Sequence, residues 1–277
     1  MPIKTKLQKI VRYITNPGLY RHGVQSAFRL SNLRDEPIIV CGAPRSGTTL
    51  LISILGSHKE IVAIPFETWL FVNKRANRWF KKEAWNRNFI FMQLKAFLLT
   101  LKVSRDHKRW CEKTPDNVLF LDFIFSVFNN KVKIIHIIRD GRDVVTSHHK
   151  KLGYFMTPQK WVKYVRAGLS YQNHPNVLTI QYENLVNDFG TTMAAVSDFL
   201  RIKNTFSEDF FMKTNVSDNG SIISGYGNKG LYRAKQLSTS SLFKWKEHHE
   251  VNRRFEECKE AKDLLIQLGY PISKDSD

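Results

Sequence analysis

Pro37-Ile-Ile-Val-Cys-Gly-Ala-Pro-Arg-Ser-Gly-Thr-Thr-Leu-Leu-Ile52 is the stretch that organises the chain. Ile38 to Cys41 is an apolar run long enough for a buried strand and too short for a helix. Gly42 to Thr49 follows as a turn with two glycines, after which Leu50, Leu51, Ile54 and Leu55 recur at helical spacing. Strand, glycine-bearing turn and helix in that order aim the turn's amides and the helix N-terminus at one point. Such an arrangement cradles an anion.

The glycine spacing, Gly42-x-x-x-x-Gly47-Thr48-Thr49, is that of a nucleoside-triphosphate loop with Thr48 in the lysine position. A hydroxyl cannot neutralise the charge that the lysine bridges between two phosphates. Arg45 offers instead a rigid fork of donors, and Ser46, Thr48 and Thr49 add hydroxyls. The loop therefore suits a single 5′-phosphate or a phosphosulfate. A second clear strand, Lys133 to Ile138, runs into Arg139-Asp-Gly-Arg-Asp-Val-Val-Thr-Ser147, which opens a further helix. Arg139 and Ser147, the latter expected on the second helical turn, can reach one phosphate. Asp140 and Asp143 read as helix caps and arginine partners, and His148 and His149 as helix-surface histidines. A metal-binding aspartate expected at that strand end is replaced by arginine, so two phosphate sites arise without magnesium machinery.

The 277 residues, with 42% hydrophobic and 25% charged, fit one α/β domain with a substantial core. A formal charge of +18 points to an anionic partner. Cys41, Cys111 and Cys258 have no paired spacing, so no zinc site or disulfide framework is expected. No run reaches transmembrane length and no secretion signal is visible, which reads as cytoplasmic. The expected organisation is a basic helical segment over 1–36, packed on a P-loop-type domain over 37–277. That domain is a central parallel sheet flanked by helices. A basic and aromatic insertion over about 73–105 faces the substrate, and a glycine- and serine-rich loop over about 217–233 is a natural lid. No nucleic-acid-binding module accompanies the basic residues.

Glu67 lies just past the apolar run Ile61 to Ile64, where a parallel strand's carboxyl end opens on a ligand crevice. It is a candidate general base, and a helix N-terminal carboxylate is the other reading. Thr114-Pro115 opens a helix through Phe128, which would hold Lys113 near an anion; taken alone, Lys113 reads as a surface lysine. Val177 to Gln181 forms another strand, and a helix from about Asp188 to Leu200 buries Met193, Val196, Phe199 and Leu200.

Taken together these motifs resemble the sulfotransferases that use 3′-phosphoadenosine 5′-phosphosulfate (PAPS). Pro44 to Leu50 resembles the family's 5′-phosphosulfate loop and Ile138 to Ser147 its 3′-phosphate motif. Tyr182-Glu-Asn-Leu-Val186, Ser241 to Trp245 and Leu268-Gly269-Tyr270 are similar to segments of tyrosylprotein sulfotransferases. Glu112-Lys-Thr-Pro115 is similar to a motif of glycan sulfotransferases. The resemblance spans 37–70 and 110–270. It implies that Arg45, Ser46, Gly47, Thr48 and Thr49 hold the 5′-phosphosulfate. It implies Arg139 and Ser147 on the 3′-phosphate and Tyr182 along the nucleotide, with Lys229, Arg233 and Lys244 adding to the site. Arg45 and Lys113 would stabilise the transferring sulfuryl group and Glu67 would take the acceptor's proton, with no metal; His107 and His58 are the alternative bases. Transmembrane and disulfide signatures of Golgi members are absent. The expected protein is therefore a soluble, bacterial-type enzyme acting on a small molecule, a glycan or a lipid-linked sugar, anionic acceptors included. A P-loop kinase or NTPase, and a basic glycan- or nucleic-acid-binding protein, are the competing readings.

Overall fold

The computed structural model describes residues 30–72, 87–99, 101, 103–149, 152–210 and 237–272. Five strands form one sheet: β1 Ile38–Gly42, β2 Ile61–Ala63, β3 Arg109–Lys113, β4 Lys133–Ile138 and β5 Val177–Gln181. Their spatial order is β2-β3-β1-β4-β5 and every neighbouring pair is parallel. β1 is the middle strand and wholly buried, which is why its sequence is a continuous apolar run and not an alternation. Val40 is in register with Lys113 on one side and Ile135 on the other.

Helices cover both faces. Ile39, Cys41, Ile134 and Ile138 pack with Leu94 of α2 (Arg87–Leu99), which follows α1 (Thr48–Leu55), and with Ile124 of α3 (Leu121–Phe128). After the short α4 (Gly141–Val145), Trp161 of α5 (Pro158–Leu169) joins the same face. Residues of alternate parity, Ile38, Val40, Ile135 and Ile137, point the other way. There they meet Leu51 of α1, Leu185 of α6 (Tyr182–Asn187) and Met193 of α7 (Phe189–Leu200). At the end of the chain α8 (His249–Glu257) and α9 (Lys259–Gln267) bring Phe255 and Leu264 to the first face. Gly269, at φ 76°, turns the chain out of α9.

The connection from β1 leads toward the edge strand β2, and the one from its neighbour β4 leads the other way, to the edge strand β5. Loops leaving these two adjacent strands thus diverge, and a crevice opens at their carboxyl ends.

Several expectations are corrected. β3 reads as no strand in the sequence because Arg109, Glu112 and Lys113 interrupt the apolar pattern, yet all five of its residues are buried. Lys113 is accordingly no surface lysine. Residues 115–128 are not one helix: a 3₁₀ segment, Pro115–Phe120, precedes α3. α4 stops at Val145, where the Thr146 hydroxyl bonds back to the Arg142 carbonyl at 3.0 Å. Ser147 therefore lies beyond the helix, and His148 and His149 sit in the loop after it. No helix begins at Glu67. Phe199 is half-buried, beneath the Lys133 ammonium at 4.9 Å. Segment 1–36 is described only from Leu30 and the 73–105 insertion only in part from Arg87 on, while the 217–233 loop with Lys229 lies outside the described residues, as does Arg233.

Candidate functional site

The turn after β1 is shaped by two close approaches. A Cβ on Gly42 would fall 2.3 Å from the Ile137 carbonyl oxygen, and one on Gly47 would fall 2.3 Å from the Tyr182 ring. Gly47 adopts φ 95° and Arg45, between the two glycines, φ 78°. The first ladder bond of α1 runs from Leu51 N–H to Gly47 carbonyl at 3.0 Å, so the amides of Thr48, Thr49 and Leu50 lie ahead of the ladder. The turn and the start of α1 thus stand in the strand, turn and helix order read from the sequence.

Three strand ends converge here. The Arg45 side chain reaches across to β4's loop, where its Nε donates to Ser147 Oγ at 2.9 Å. Arg139, the first residue past β4, donates to the Arg45 carbonyl at 3.2 Å and lies over the Tyr182 ring at 4.6 Å. Tyr182 is the first residue past β5, and its hydroxyl meets Ser241 Oγ at 2.7 Å. Burial, and then the neighbouring Arg139, pull the Arg45 guanidinium below its ordinary pKa, so an anion between them would be favoured. Arg139 Nε is buried and has no hydrogen-bond partner in the described structure.

Asp143 ties this arginine to the chain's far end. It faces Arg139 at 3.4 Å and accepts the Phe243 and Trp245 amides at 2.9 and 3.1 Å, which seats the Ser241 carbonyl against Arg139. Beneath it Asp140 grips Arg142 at 3.0 and 2.7 Å, with the guanidinium stacked 3.6 Å over Trp245. Asp140 also caps α4 through the Arg142 amide, as the sequence suggests.

On the other side of β1, Lys113 ends β3 and donates to Glu67 Oε1 at 2.7 Å. The lysine is 2% exposed and burial lowers its pKa, an effect that Glu67 opposes. Glu67 keeps 30% of its side chain in solvent. Its loop is held by Glu112, a fully buried carboxylate that accepts Thr68 Oγ1 at 2.8 Å, Thr114 Oγ1 at 2.5 Å and Asn117 Nδ2 at 2.7 Å. Burial raises the Glu112 pKa and these donors counter it. Glu112 thus fixes Thr68, next to Glu67, against the strand that carries Lys113. In the sequence Glu112 stands out only as part of Glu112-Lys-Thr-Pro115. Its signal was an acid inside an otherwise buried Trp-Cys-Glu-Lys run.

A cleft of about 1180 Å³ joins these parts, lined by Arg45, Gly47, Thr48, Thr49, Glu67, Lys113, Arg139, Ser147, Tyr182 and Lys244 among others. Ser46 is the expected loop residue that does not line it; its hydroxyl is buried without a partner. Both candidate histidine bases stand elsewhere. His58 and His107 precede β2 and β3, at the amino ends of the strands, and neither lines the cleft. Among the described residues no group of three or more His, Cys, Asp or Glu side chains is placed to hold a metal ion.

A family model described as "Sulfotransferase family" matches residues 37–207. The chain is 24% identical to the 3-alpha-hydroxysteroid sulfotransferase of Cavia porcellus, with 86% of each chain covered. It is 27% identical to a putative protein-tyrosine sulfotransferase of Caenorhabditis briggsae, over 63% of this chain and 68% of that one. Among solved structures, the sulfotransferase domain of the Synechococcus PCC 7002 olefin synthase superposes with a TM-score of 0.56 at 17% identity, over 87% of this chain and 98% of that domain. That likeness speaks for the fold alone.

Proposed function

Since the chain belongs to the sulfotransferase family, and so to enzymes of sulfuryl transfer, we propose that its donor is PAPS and its acceptor a hydroxyl or amine of a small molecule, glycan or lipid-linked sugar. The observation that carries this reading is the pair Arg45 and Arg139. They come from the ends of β1 and β4, stand together beside Ser147 and Tyr182, and among the described residues have no carboxylate that neutralises both. The turn amides with Thr48 and Thr49 suit the 5′-phosphosulfate; Arg139 with Ser147 suits the 3′-phosphate. The orphaned Arg139 Nε is a donor in want of an acceptor. Ser46 would act through the loop's shape. Lys229 and Arg233, from the lid, and Lys244 add cations.

In this reading Glu67 accepts the proton of the attacking O–H or N–H while the acceptor's lone pair forms the new bond to sulfur. The bond from sulfur to the 5′-phosphate oxygen breaks in line, and that oxygen leaves with the electron pair. Lys113, now held by Glu67, and Arg45 meet the charge that grows on the sulfuryl and leaving oxygens. Residues 37–277 form the catalytic domain, with 1–36 packed on it, 73–105 on the acceptor side and 217–233 as the lid. The free thiols Cys41 and Cys111 suit a reducing, cytoplasmic setting.

Calorimetric titration with 3′-phosphoadenosine 5′-phosphate (PAP), against ATP with magnesium, tests the donor. The expected result is micromolar binding of PAP that ATP does not displace. ATP binding in its place would overturn the reading in favour of a kinase.

A further inference from the structure

The cleft is larger than one ligand needs: pockets for single small molecules run to about 300–1,000 Å³, and this one reaches about 1180 Å³. Arg45, Arg139 and Tyr182 take up one end. The remainder lies between the Glu67–Lys113 pair and α5, and its composition is unusual. One wall is apolar, from Leu119, Phe155 and Met156. Beside it, Lys160 and Lys163 of α5, both exposed to solvent, line the same space.

These lysines lie three apart on one helix, where like charges repel. Lys160 Nζ donates to the Phe155 carbonyl at 2.9 Å, which seats the ammonium at the edge of the apolar wall with N–H groups to spare. Among the described residues neither lysine has an ion-pair partner. Two carboxylates border this half, and both are engaged. Glu67 is held by Lys113 at 2.7 Å, and Asp116 accepts the Tyr164 hydroxyl. The space therefore combines apolar residues, two cations with no ion-pair partner among the described residues, and the carboxylate of Glu67.

We propose that the acceptor is an amphiphile carrying an anionic group, its apolar body on Phe155 and Met156 and its anion on Lys160 and Lys163. This assignment rests on the donor reading above and names the acceptor class within it. The lysines set specificity: an anion gains two neighbouring positive charges that a neutral alcohol of the same size does not.

Binding to the PAP-loaded protein tests this without turnover. The probes are 10-hydroxydecanoate and 1,10-decanediol, equal in length and different in charge, titrated by calorimetry at low and high salt. The wild-type protein is expected to bind the carboxylate about three- to tenfold more tightly than the diol, the scale of partly exposed ion pairs, with the difference shrinking in salt. Lys163→Glu is expected to abolish that preference and leave PAP affinity unchanged. Lys259→Glu, the same charge change on the exposed surface of α9, away from the cleft, is expected to retain it. Equal binding of the two probes, binding of neither, or a preference that survives Lys163→Glu would overturn the proposal while PAP binding keeps the donor reading standing. Failure to bind PAP would remove both.

Discussion

The two edges of the sheet use the same kinds of side chain to opposite ends. At the amino edge ionisable groups are closed into local pairs. Arg109 meets Asp35 at 3.1 Å, Lys108 meets Glu60 at 2.9 Å, and Lys133 donates to Asn176 at 2.7 Å. His58 lies 3.1 Å from the Lys203 carbonyl and takes the Glu60 amide at 3.2 Å, and His107 takes the Ser104 amide at 2.9 Å. At the carboxyl edge cations stand together around a cleft, and the one carboxylate in a direct pair with Lys113, Glu67, keeps a solvent-facing side. The difference teaches that residue type does not locate the chemistry here. A histidine is the commonest general base, yet neither of these lines the cleft, and a half-exposed glutamate does.

The contrast can be broken most directly at Glu67. Glu67→Gln is expected to lower kcat on the order of a hundredfold or more with PAP affinity kept, while His107→Gln changes kcat by no more than about twofold. Steady-state rates with calorimetric PAP binding decide it, and the reverse outcome would move the base to the amino edge. Next in size, Arg139→Ala or Arg45→Ala is expected to weaken PAP by about 1.5–3 kcal/mol, the scale of charged hydrogen bonds. Wild-type affinity in either variant would remove that arginine from the phosphate site.

Glu112→Gln sharpens the comparison from beneath. It leaves the cleft's lining intact but unbalances the acceptors offered to Thr68, Thr114 and Asn117. A drop of about tenfold in kcat is expected, with KM for the donor little changed. A drop in thermal stability with no change in kcat would make Glu112 a purely structural residue.

The smallest effect is one of pH on folding. Burial pushes His107 and His136 from 6.5 down to about 4. Below pH 6.5 the unfolded chain takes up protons that the folded one refuses, so these groups leave stability whole above about 6.5 and erode it down to about 4. The slope is on the order of 1 kcal/mol per pH unit for each histidine. His136 packs against Gly168 of α5 deep behind the sheet, so His136→Phe is expected to flatten the dependence of urea midpoints between pH 7 and 5 relative to the wild type. An unchanged slope would mean that His136 titrates normally in the fold.

Much of the site was legible in the chain because its signals are local. The turn Gly42 to Thr49 and the run after Ile138 declare themselves by glycine spacing and by apolar stretches of strand length, and the structure places both at strand ends. β3 was not legible. Its polar residues contradict the strand pattern because they serve the cleft and the network beneath it, and only burial on both sides explains them. The early stop of α4 was equally hidden, since it depends on the Thr146 back-bond and on Arg45 reaching Ser147 from another strand.

By itself, then, the sequence determined a parallel α/β sheet and two strand ends that carry glycine turns and arginines, since turn chemistry and hydrophobic period act over a few residues. Which charged groups meet was decided by tertiary structure. The strand order β2-β3-β1-β4-β5 carries Lys113 to Glu67 across 46 residues and seats Phe243 and Trp245 on Asp143 across a hundred. It also leaves His58 and His107 at the far edge. Such meetings depend on how strands are ordered in space, a property that no local stretch of the chain encodes.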